Sequence, residues 1–569
     1  MNVADKVVNY FSPQSGLKRQ MARMQGDAIK KFTNSGYSES GASRSKKSLR
    51  GWTAKSKSPQ EDIDKNLDTL RQRSRDLYMS APLATSGIKT NRTNVVGSGL
   101  RLKSRIDFEY LGIPREQADK WEINTEREFA LWAESVWCDT LRLNNFYELQ
   151  QIALMSWLMN GDGFGIIKRD NPTSWMPYSL RIHLIESDRI CNPNSINRTA
   201  ASFLPARVNV VGKNGDNGNL IYNGVEIDKG SGAVVAYWIC DQYPNSTLKG
   251  VKKDWTRVDA FGEKTGNPNI LHLMEQERCE QYRGVPYLAP VIECLKQITR
   301  YTEATLTAAV VQSFFTAFIT SETADSNPFF GSSIDDDQKV ENDDETSYEL
   351  GAGTVNVLRP GEGVEFGEPK QPTAQFDAFV TAMAKYTGAA LEIPFELLTK
   401  SFMTSYSASR AALLEAWKAF RMRRTWFAND FCQPVYELWL AEAVSRGRVN
   451  APGFFSDPAK KKAWCKADWN GPAPGQIDPV KEVTAAILRV QQAFSTHEKE
   501  TIELTGGDWD KNIDQVIREN ELLQQVNPAG NPASREQNGD SQNNLSNAII
   551  GKLADYIAKE IIRSDESNA

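Results

Sequence analysis

Carboxylates crowd one short stretch of this chain, "DDDQKVENDDE" at residues 335–345. Clustered carboxylates with basic neighbours can hold two Mg²⁺ ions, so an enzyme acting on DNA is one interpretation of this pattern. The stretch lacks the glycine and the terminal Glu register of an EF-hand loop, and its acids sit in one low-complexity segment. A solvated loop or a docking surface is therefore favoured over a metal site.

Residues and motifs typical of nucleophilic, metal or phosphate-binding sites are scarce elsewhere in the chain. The three histidines, His183, His272 and His497, are outside any HExxH pattern and away from a GxSxG serine. No GK[ST] sequence occurs, so a P-loop is excluded. The glycine cluster "GDGFG" (161–165) lacks GxGxxG spacing and leads into a strand, which predicts a turn rather than a phosphate cradle. We expect no catalytic, cofactor or metal site.

Composition narrows the class of protein further. Seven cysteines occur without CxxC spacing, so a zinc ribbon and a redox dithiol are both disfavoured, and packed, reduced thiols are expected. The longest apolar run, 308–319, is shorter than the roughly 18–20 residues that span a bilayer. The first residues lack the features of a signal peptide. We therefore expect a protein that stays in a cytosol-like compartment and has no membrane partner.

Positive charge is unevenly placed. The chain carries a net charge of −5, but residues 1–60 hold 12 Lys or Arg against three acids. "RTNVVGSGLRLKSR" (92–105) carries four cations and no acid, which fits DNA contact, a solvated strand or a salt-bridged surface between subunits. Solvated faces are the commoner use of such runs and are favoured here. For "RMRR" (421–424), a DNA-facing patch and a helix-surface patch remain equally open.

Periodicity indicates the elements that must position these residues. Residues 1–60 hold too few large apolar groups to fold and predict a flexible basic arm. Helices are predicted at 61–90 with a break at Pro82, at 115–137, and at 146–160 before a Gly161 cap. Strands are predicted from 162 to about 275, with a type I′ hairpin turn at Asn223-Gly224.

Helices dominate again after residue 283. Apolar spacing predicts one helix of about 34 residues from there, about 50 Å long, and another helix at 373–391. Short strands around Pro360-Gly361 separate the two. The remaining predictions are a helix at 405–447 broken at Pro434, helices at 478–496 and 510–526, and a polar tail with one amphipathic stretch at 545–563. The fold class is α+β.

Five stretches together resemble the lambda-like family of tailed-bacteriophage portal proteins. They occur in one order between about residues 37 and 525. These stretches are "LRQRSRDLYMSAPLATSGIKTNRTNVVGSGLRLKSR" (70–105), "HLIESDRI" (183–190), "ILHLMEQERCEQYRGVPYLAPVIECL" (270–295), "LRPGEGVEF" running on to "IPFELLTKSFMTSYSASRAALLE" (393–415), and "DWNGPAPGQIDPVKEVTAAI" (468–487). Each motif alone is weak, but five in sequence are specific.

The resemblance implies a portal-type division of the chain. The implied parts are an N-terminal arm (1–60), a wing of helices and then strands (61–282), a first stem helix (283–320), a clip with a small β insert (321–371), a second stem helix (372–391), a tunnel-loop region (392–410), a long wing helix (411–449), a crown-like helical C-terminal region (450–525) and a largely disordered polar tail (526–569).

The resemblance also implies a function and partners. Portals are homo-oligomeric rings, usually of twelve subunits, at one capsid vertex, through which double-stranded DNA is packaged by a separate terminase and later ejected. The expected partners are the terminase large subunit, head-completion or connector proteins, and the major capsid or scaffold protein. The expected location is the virion, and the host cytoplasm during assembly. A DNA-processing enzyme, such as a nuclease or terminase component, is the alternative.

The same resemblance assigns site residues. The tunnel residues are Lys400, Ser401, Phe402, Met403 and Thr404, and the residues that dock terminase or connector are Asp335, Asp336, Asp337, Asp343 and Asp344. Since a conduit must not hold DNA tightly, we expect the cations of 92–105 to lie outside the tunnel. Arg92, Arg101, Lys103 and Arg105 are expected to pair with neighbouring subunits or with water.

Overall fold

The structure is a computed structural model. It describes residues 10–32, 41–43, 46–193, 208–209, 218–244, 246, 253–314, 318–321, 362–365, 376–402, 406–476 and 478–526. The chain divides into two units, Met1–Asp62 and Ile63–Ala569. The first unit contains helix α1 (Pro13–Phe32), which was not predicted from the sequence. The assignment of 1–60 as an arm stays a prediction.

Two helices open the second unit, and a proline separates them. Helix α2 (Leu67–Ser80) ends where the Ala81 backbone N–H donates to the Leu77 carbonyl over 2.8 Å. Helix α3 (Pro82–Val95) then begins with Pro82 in its first turn, where the missing N–H costs no hydrogen bond. The predicted break at Pro82 is confirmed.

Three more helices build the centre of this unit. Helix α4 (Phe108–Leu111) is a single turn, and α5 is Arg115–Ala133. Helix α6 (Phe146–Asn160) begins with a reciprocal capping box between Asn145 and Glu148. It ends at Gly161, whose φ of 89° lies in the region that favours glycine. The predicted cap is confirmed.

Strands follow in two sheets. The three-stranded sheet has β2 (Asp162–Arg169) in the centre, antiparallel to both β3 (Leu180–Ile185) and β9 (Ile270–Met274). The five-stranded antiparallel sheet runs in chain order through β4 (Val208–Asn209), β5 (Leu220–Tyr222), β6 (Val225–Ile227), β7 (Val234–Cys240) and β8 (Trp255–Asp259). Asn223 and Gly224 turn the β5–β6 hairpin at φ values of 46° and 84°, which confirms the predicted type I′ turn.

The next helix is shorter than predicted. Helix α7 is Ile292–Phe314, 23 residues, and the residues before it include the 3₁₀ turn Ala289–Val291. The predicted helix of about 34 residues from 283 is therefore wrong, because Pro286 and Pro290 keep the preceding chain out of an α-helix. Strand β10 (Phe318–Ser321), which was predicted as part of that helix, pairs antiparallel with β11 (Glu362–Glu365).

Helix α8 (Phe376–Ala390) packs against α7 with the opposite chain direction. Tyr301 of α7 lies 5.5 Å from Phe376 of α8, ring centroid to ring centroid, whereas Cys294 contacts Thr387 over 3.2 Å. Residue numbers rise along one helix as they fall along the other. The two helices thus form an antiparallel pair joined through the β10–β11 ladder.

The C-terminal part is mainly helical. It contains α9 (Phe395–Thr399), α10 (Tyr406–Phe427), a π-helical turn (Ala428–Cys432), α11 (Gln433–Ser445), α12 (Pro458–Trp464), α13 (Pro479–Gln491), α14 (His497–Thr505) and α15 (Trp509–Val526). The predicted break at Pro434 is wrong, because the helical backbone continues through the π-helical turn, which ends two residues before the proline. Strand β12 (Ala467–Asn470) pairs antiparallel with β1 (Arg101–Ser104).

Aromatic side chains form the middle of the main core. Phe129 and Trp132 of α5 meet Phe146 of α6, Phe431 and Trp439, and all five rings are buried. Phe129 contacts Trp439 edge to face with centroids 5.1 Å apart, and Phe146 stacks on Phe431 at 5.8 Å. The core therefore joins helices that are distant in sequence.

The backbone at Gly161 lies so close to the backbone at Gly284 that a side chain at residue 161 would clash, and substitution there tests this approach. A Cβ at Gly161 would lie 2.4 Å from the Gly284 carbonyl oxygen, whereas one at Gly266, also at positive φ, would meet nothing within 4 Å. We expect Gly161→Ala to lower the free energy of unfolding by about 3 kcal/mol or more, and Gly266→Ala by about 1 kcal/mol. Urea midpoints at one protein concentration measure both. Equal midpoints would contradict the close approach.

Candidate functional site

Asp162 is the residue around which the second unit is assembled. It is the first residue of β2, directly after the glycine cap of α6, and its carboxylate is fully buried. Arg71 of α2 donates to Oδ1 over 3.0 Å, and the Nε of Arg283 donates to Oδ2 over 2.6 Å. The Gly284 backbone N–H donates to Oδ2 over 3.2 Å. One carboxylate thus binds two charged side chains from distant parts of the sequence.

The two arginines use their remaining N–H groups on backbone carbonyls. Arg71 Nε donates to the Asn160 carbonyl at the end of α6 over 2.9 Å. Arg283 donates to the carbonyls of Ser187 over 3.0 Å and Ile190 over 2.9 Å, in the segment that follows β3. Because buried donors must find acceptors, these bonds fix α2, α6, β2 and the chain before α7 relative to one another.

The protonation states of this cluster follow from its burial and charges. Burial alone would raise the pKa of Asp162, but Arg283 and Arg71 outweigh it and hold that pKa well below the ordinary value. Burial lowers the pKa of Arg71 to about 10. Burial also raises the pKa of the nearby Asp64 to about 6, against the charge of Arg283, and lowers the pKa of His272. His272 is therefore neutral at pH 7.

Three sequence motifs meet at this cluster. Arg71 belongs to 70–105, the accepting carbonyls belong to 183–190, and Arg283 belongs to 270–295. The motifs were evident in the sequence, but Asp162 was missed because it was interpreted as part of a glycine-rich turn. Only Gly161 turns, and Asp162 starts a strand. An acid inside an apolar, glycine-flanked strand was the signal available in the sequence.

Lys103 of the basic strand is buried in a cluster of acids. Its Nζ lies 3.1 Å from Asp508, 3.0 Å from Asp510 and 4.0 Å from Glu126. Burial would lower the pKa of Lys103, but Glu126 and the two aspartates outweigh it and raise that pKa. The lysine therefore joins β1 to the start of α15 rather than reaching toward a solvent-borne ligand.

The neighbouring cations also find acids of their own subunit. Arg105 forms ion pairs with Asp468 over 3.6 Å and with Glu498. Arg101 pairs with Glu134 over 3.3 Å, both side chains being 60% exposed. The prediction that these cations pair with neighbouring subunits or water is wrong for Lys103, which is buried among acids distant in sequence. For Arg92, Arg101 and Arg105, which are partly exposed, it stays a prediction.

Two of the three arginines in the "RMRR" segment of α10 likewise bond to groups within the chain. Arg423 is buried and contacts Asn91 over 3.2 Å and Glu392 over 2.5 Å. Arg424 donates to the Val95 carbonyl over 2.9 Å. Burial lowers the pKa of Arg424 to about 10. These two arginines attach α10 to α3, which corresponds to neither of the two alternatives left open by the sequence.

The predicted tunnel residues begin directly after α9. Lys400 ends that helix at a left-handed φ of 58°, and its Nζ contacts the Thr90 hydroxyl over 2.7 Å. Partial burial lowers the pKa of Lys400. Phe402 is 58% exposed. Met403 and Thr404 lie outside the described residues.

The described part of the chain holds neither a group of metal ligands nor a helix that could cross a membrane. The predicted docking residues, Asp335, Asp336, Asp337, Asp343 and Asp344, lie outside it. Within the described ranges, no three His, Cys, Asp or Glu side chains are grouped to hold a metal ion. No described helix combines the length and apolar character needed to cross a membrane. All seven cysteines are free thiols, four of them buried.

Comparison with known proteins identifies the family. Residues 45–424 match the phage portal protein family of the lambda type. The chain belongs to the lambda family of phage portal proteins. This portal protein is 26% identical to portal protein B of Escherichia phage lambda and 25% identical to the portal protein of Escherichia phage N15. Each alignment covers 83% of this chain and 87% of the relative.

Weaker likenesses extend to a further phage and to solved structures. A probable portal protein of Halomonas phage phiHAP-1 is 22% identical over 76% of this chain and 77% of its own. The neck of a native gene transfer agent particle, computed with C12 symmetry, is similar with a TM-score of 0.37 and 13% identity, covering 77% of this chain and 93% of that chain. The portal family is a structural one.

Charge removal at Asp162 tests the role of the cluster. Asp162→Asn leaves two buried guanidinium groups without a counter-ion, so we expect it to lower the free energy of unfolding by about 3–5 kcal/mol. Glu134→Gln breaks an exposed ion pair of the same type and should cost about 0–1 kcal/mol. Guanidinium titrations followed by tryptophan fluorescence measure both. A loss at Asp162 no larger than that at Glu134 would show that the cluster does not hold the fold.

Proposed function

We propose that this portal protein forms a ring, of twelve subunits, at one vertex of a phage capsid. A separate terminase motor packages double-stranded DNA through the ring, and the DNA leaves through it at infection. The observation that carries the proposal is the family match over residues 45–424, within which three of the five motifs meet in one buried cluster. The protein would be in the virion, and in the host cytoplasm during assembly.

The antiparallel α7–α8 pair supports the stem assignment. Residues 283–320 and 372–391 would be the two stem helices, and 321–371 would be the clip. The β10–β11 ladder would then lie where the stem enters the clip. The Tyr301–Phe376 and Cys294–Thr387 contacts hold the first half of α7 to α8, as two packed stem helices require.

The acidic stretch of the clip is the proposed docking surface. Asp335, Asp336, Asp337, Asp343 and Asp344 would meet basic patches of the terminase large subunit, and later of the head-completion or connector proteins. Clustered like charges attract such partners and make association depend on salt. The major capsid or scaffold protein would contact other surfaces of the ring.

Residues that follow α8 would line the tunnel. Lys400 and the following Ser401, Phe402, Met403 and Thr404 are the proposed tunnel residues, within 392–410. Thr90 holds the Lys400 ammonium group through a 2.7 Å contact, which limits how far that cation can reach toward a phosphate. Twelve chains of −5 each give about −60, so the ring as a whole repels DNA and lets it slide.

Placement of the basic strand also supports a conduit rather than a DNA-holding protein. Lys103, Arg105 and Arg101 are neutralised within their own subunit. We propose that the protein has no catalytic activity of its own, as expected for a structural family. A nuclease would need its acids near bound metal, and the candidate acids in the sequence form the 335–345 stretch.

Neutralising the acidic stretch tests the proposal. Native mass spectrometry should show rings of twelve 63.7 kDa subunits, about 760 kDa. The triple variant of Asp335, Asp336 and Asp337 to Asn should keep the rings but weaken terminase binding about tenfold, more at low salt. Equal neutralisation of the exposed wing acids Glu109, Glu116 and Glu263 to Gln should leave terminase binding unchanged.

Two outcomes would contradict the proposed function. Monomers and dimers alone, at every salt concentration, would exclude a ring. Mg²⁺-dependent nicking of plasmid DNA by the pure protein, lost in the triple Asp variant, would favour the DNA-processing enzyme instead.

A further inference from the structure

Two cysteines lie side by side where the chain after β3 meets the five-stranded sheet. Ile190 bridges Ile239 of β7 in antiparallel register, and the Cys191 backbone N–H donates to the Trp238 carbonyl over 3.3 Å. Cys191 is therefore opposite Trp238, two residues before Cys240 at the end of β7. Because residues two apart in a strand point to one face, the side chains of Cys191 and Cys240 are diagonal neighbours on the same face.

A tryptophan and the thiols themselves support this proximity. Trp255 of β8 is directly opposite Cys240 in the β7–β8 ladder, and its indole N–H donates to the Cys191 sulfur over 3.3 Å. The thiols of Cys191 and Cys240 also hydrogen-bond to each other. A disulfide requires two sulfurs about 2.0 Å apart, so a hydrogen-bonded pair needs only a short further approach.

The two thiols differ in their access to solvent. Cys191 is partly exposed, whereas Cys240 is fully buried, and burial raises the pKa of the Cys240 thiol. The thiolate is the form of cysteine that attacks a disulfide. A small disulfide in solution therefore reacts first at Cys191, and Cys240 is placed to complete the reaction.

We propose that Cys191 and Cys240 are an oxidation site, which closes to a disulfide when the protein meets a low-molecular-weight disulfide such as oxidised glutathione. The Cys191 thiolate attacks one sulfur of that molecule, which forms a mixed disulfide and releases one small thiol. The Cys240 thiolate then attacks the Cys191 sulfur and displaces the second small thiol. Two protein thiols are oxidised, one small disulfide is reduced to two thiols, and the two cysteine protons pass to the leaving thiolates.

The new bond would extend the hold of the buried ion cluster. Arg283 already binds the carbonyls of Ser187 and Ile190, just before Cys191. A bond from Cys191 to Cys240 would fasten this segment covalently to β7. This use of the bond rests on the proposed function, since a virion leaves the reducing host cytoplasm, where disulfides are rare, for surroundings in which they persist.

Oxidation of the purified full chain tests the pair. In a Cys279→Ser background, which removes the exposed thiol, oxidised glutathione should lower the intact mass by that of two hydrogen atoms. Peptide mapping without reductant should give one linked pair that joins residues 191 and 240, and dithiothreitol should separate it. Cys191→Ser and Cys240→Ser should each abolish the link. The matched control Cys294→Ser, at another partly exposed cysteine, should leave it unchanged.

Hydrogen exchange shows whether the bond fastens the sheet. A disulfide that closes a long loop restricts the opened chain more than the folded one. Amides of β7 should therefore exchange roughly tenfold more slowly in the oxidised protein than in the reduced protein. Amides of α13 should exchange equally in both forms. Both measurements use the native cysteine pair, so they do not depend on the folding of either serine variant.

Several results would overturn the inference. Oxidised glutathione that leaves both thiols unmodified, stops at a mixed disulfide on Cys191, or joins Cys191 to a cysteine other than Cys240 would show that the pair does not close. Unchanged exchange from β7 would show that the bond does not fasten the sheet. Rings of twelve without this disulfide would overturn the inference and leave the proposed function standing. A disulfide in a protein that forms no rings would keep the oxidation site and refute the proposed function.

Discussion

A single buried carboxylate holds together the parts of this portal protein that come from distant sequence. Asp162 lies between Arg71 and Arg283, with all three side chains removed from water. Removing such charges from water is costly, and the cost is offset only when geometry and hydrogen bonds are nearly complete. Helix α2, strand β2 and the chain leading to α7 must therefore reach their positions together. This requirement adds to apolar burial in fixing how α2, β2 and the chain before α7 meet.

This constraint also determines where force applied to α7 would be borne. Arg283 is followed directly in the chain by Gly284, whose own backbone N–H also binds Asp162. Load on α7 would therefore pass to a buried ion cluster rather than to a solvent-exposed loop. Arg423 and Arg424 make the corresponding attachment between α10 and α3.

Local features of the fold were predictable from sequence because their causes are local. The helix break at Pro82, the cap at Gly161 and the Asn223-Gly224 turn each follow from the backbone preferences of one or two residues. The length of α7 was overestimated because apolar spacing continued through Pro286 and Pro290. There the backbone restriction of proline outweighs the pattern of side chains.

Pairings across the sequence were not predictable in the same way. Lys103 and its aspartates are 405 and 407 residues apart, and nothing in either segment identifies the other. The family motifs indicated that Arg71 and Arg283 matter, but only the fold shows that they share Asp162. The basic strand looked solvent-facing because its own neighbours carry no acid. Charge patterns along a chain thus describe local surfaces poorly when distant acids are folded against them.

Hydrogen exchange of the unmodified protein tests the role of Asp162 most directly. If the cluster joins its segments, amides in α2, β2 and residues 278–284 should open with one shared free energy, higher than that of the outer strand β8. Mass spectrometry of peptides across a denaturant series measures these values. Exchange from α2 at a lower free energy than from β2, with its own dependence on denaturant, would show that the ion cluster does not couple them.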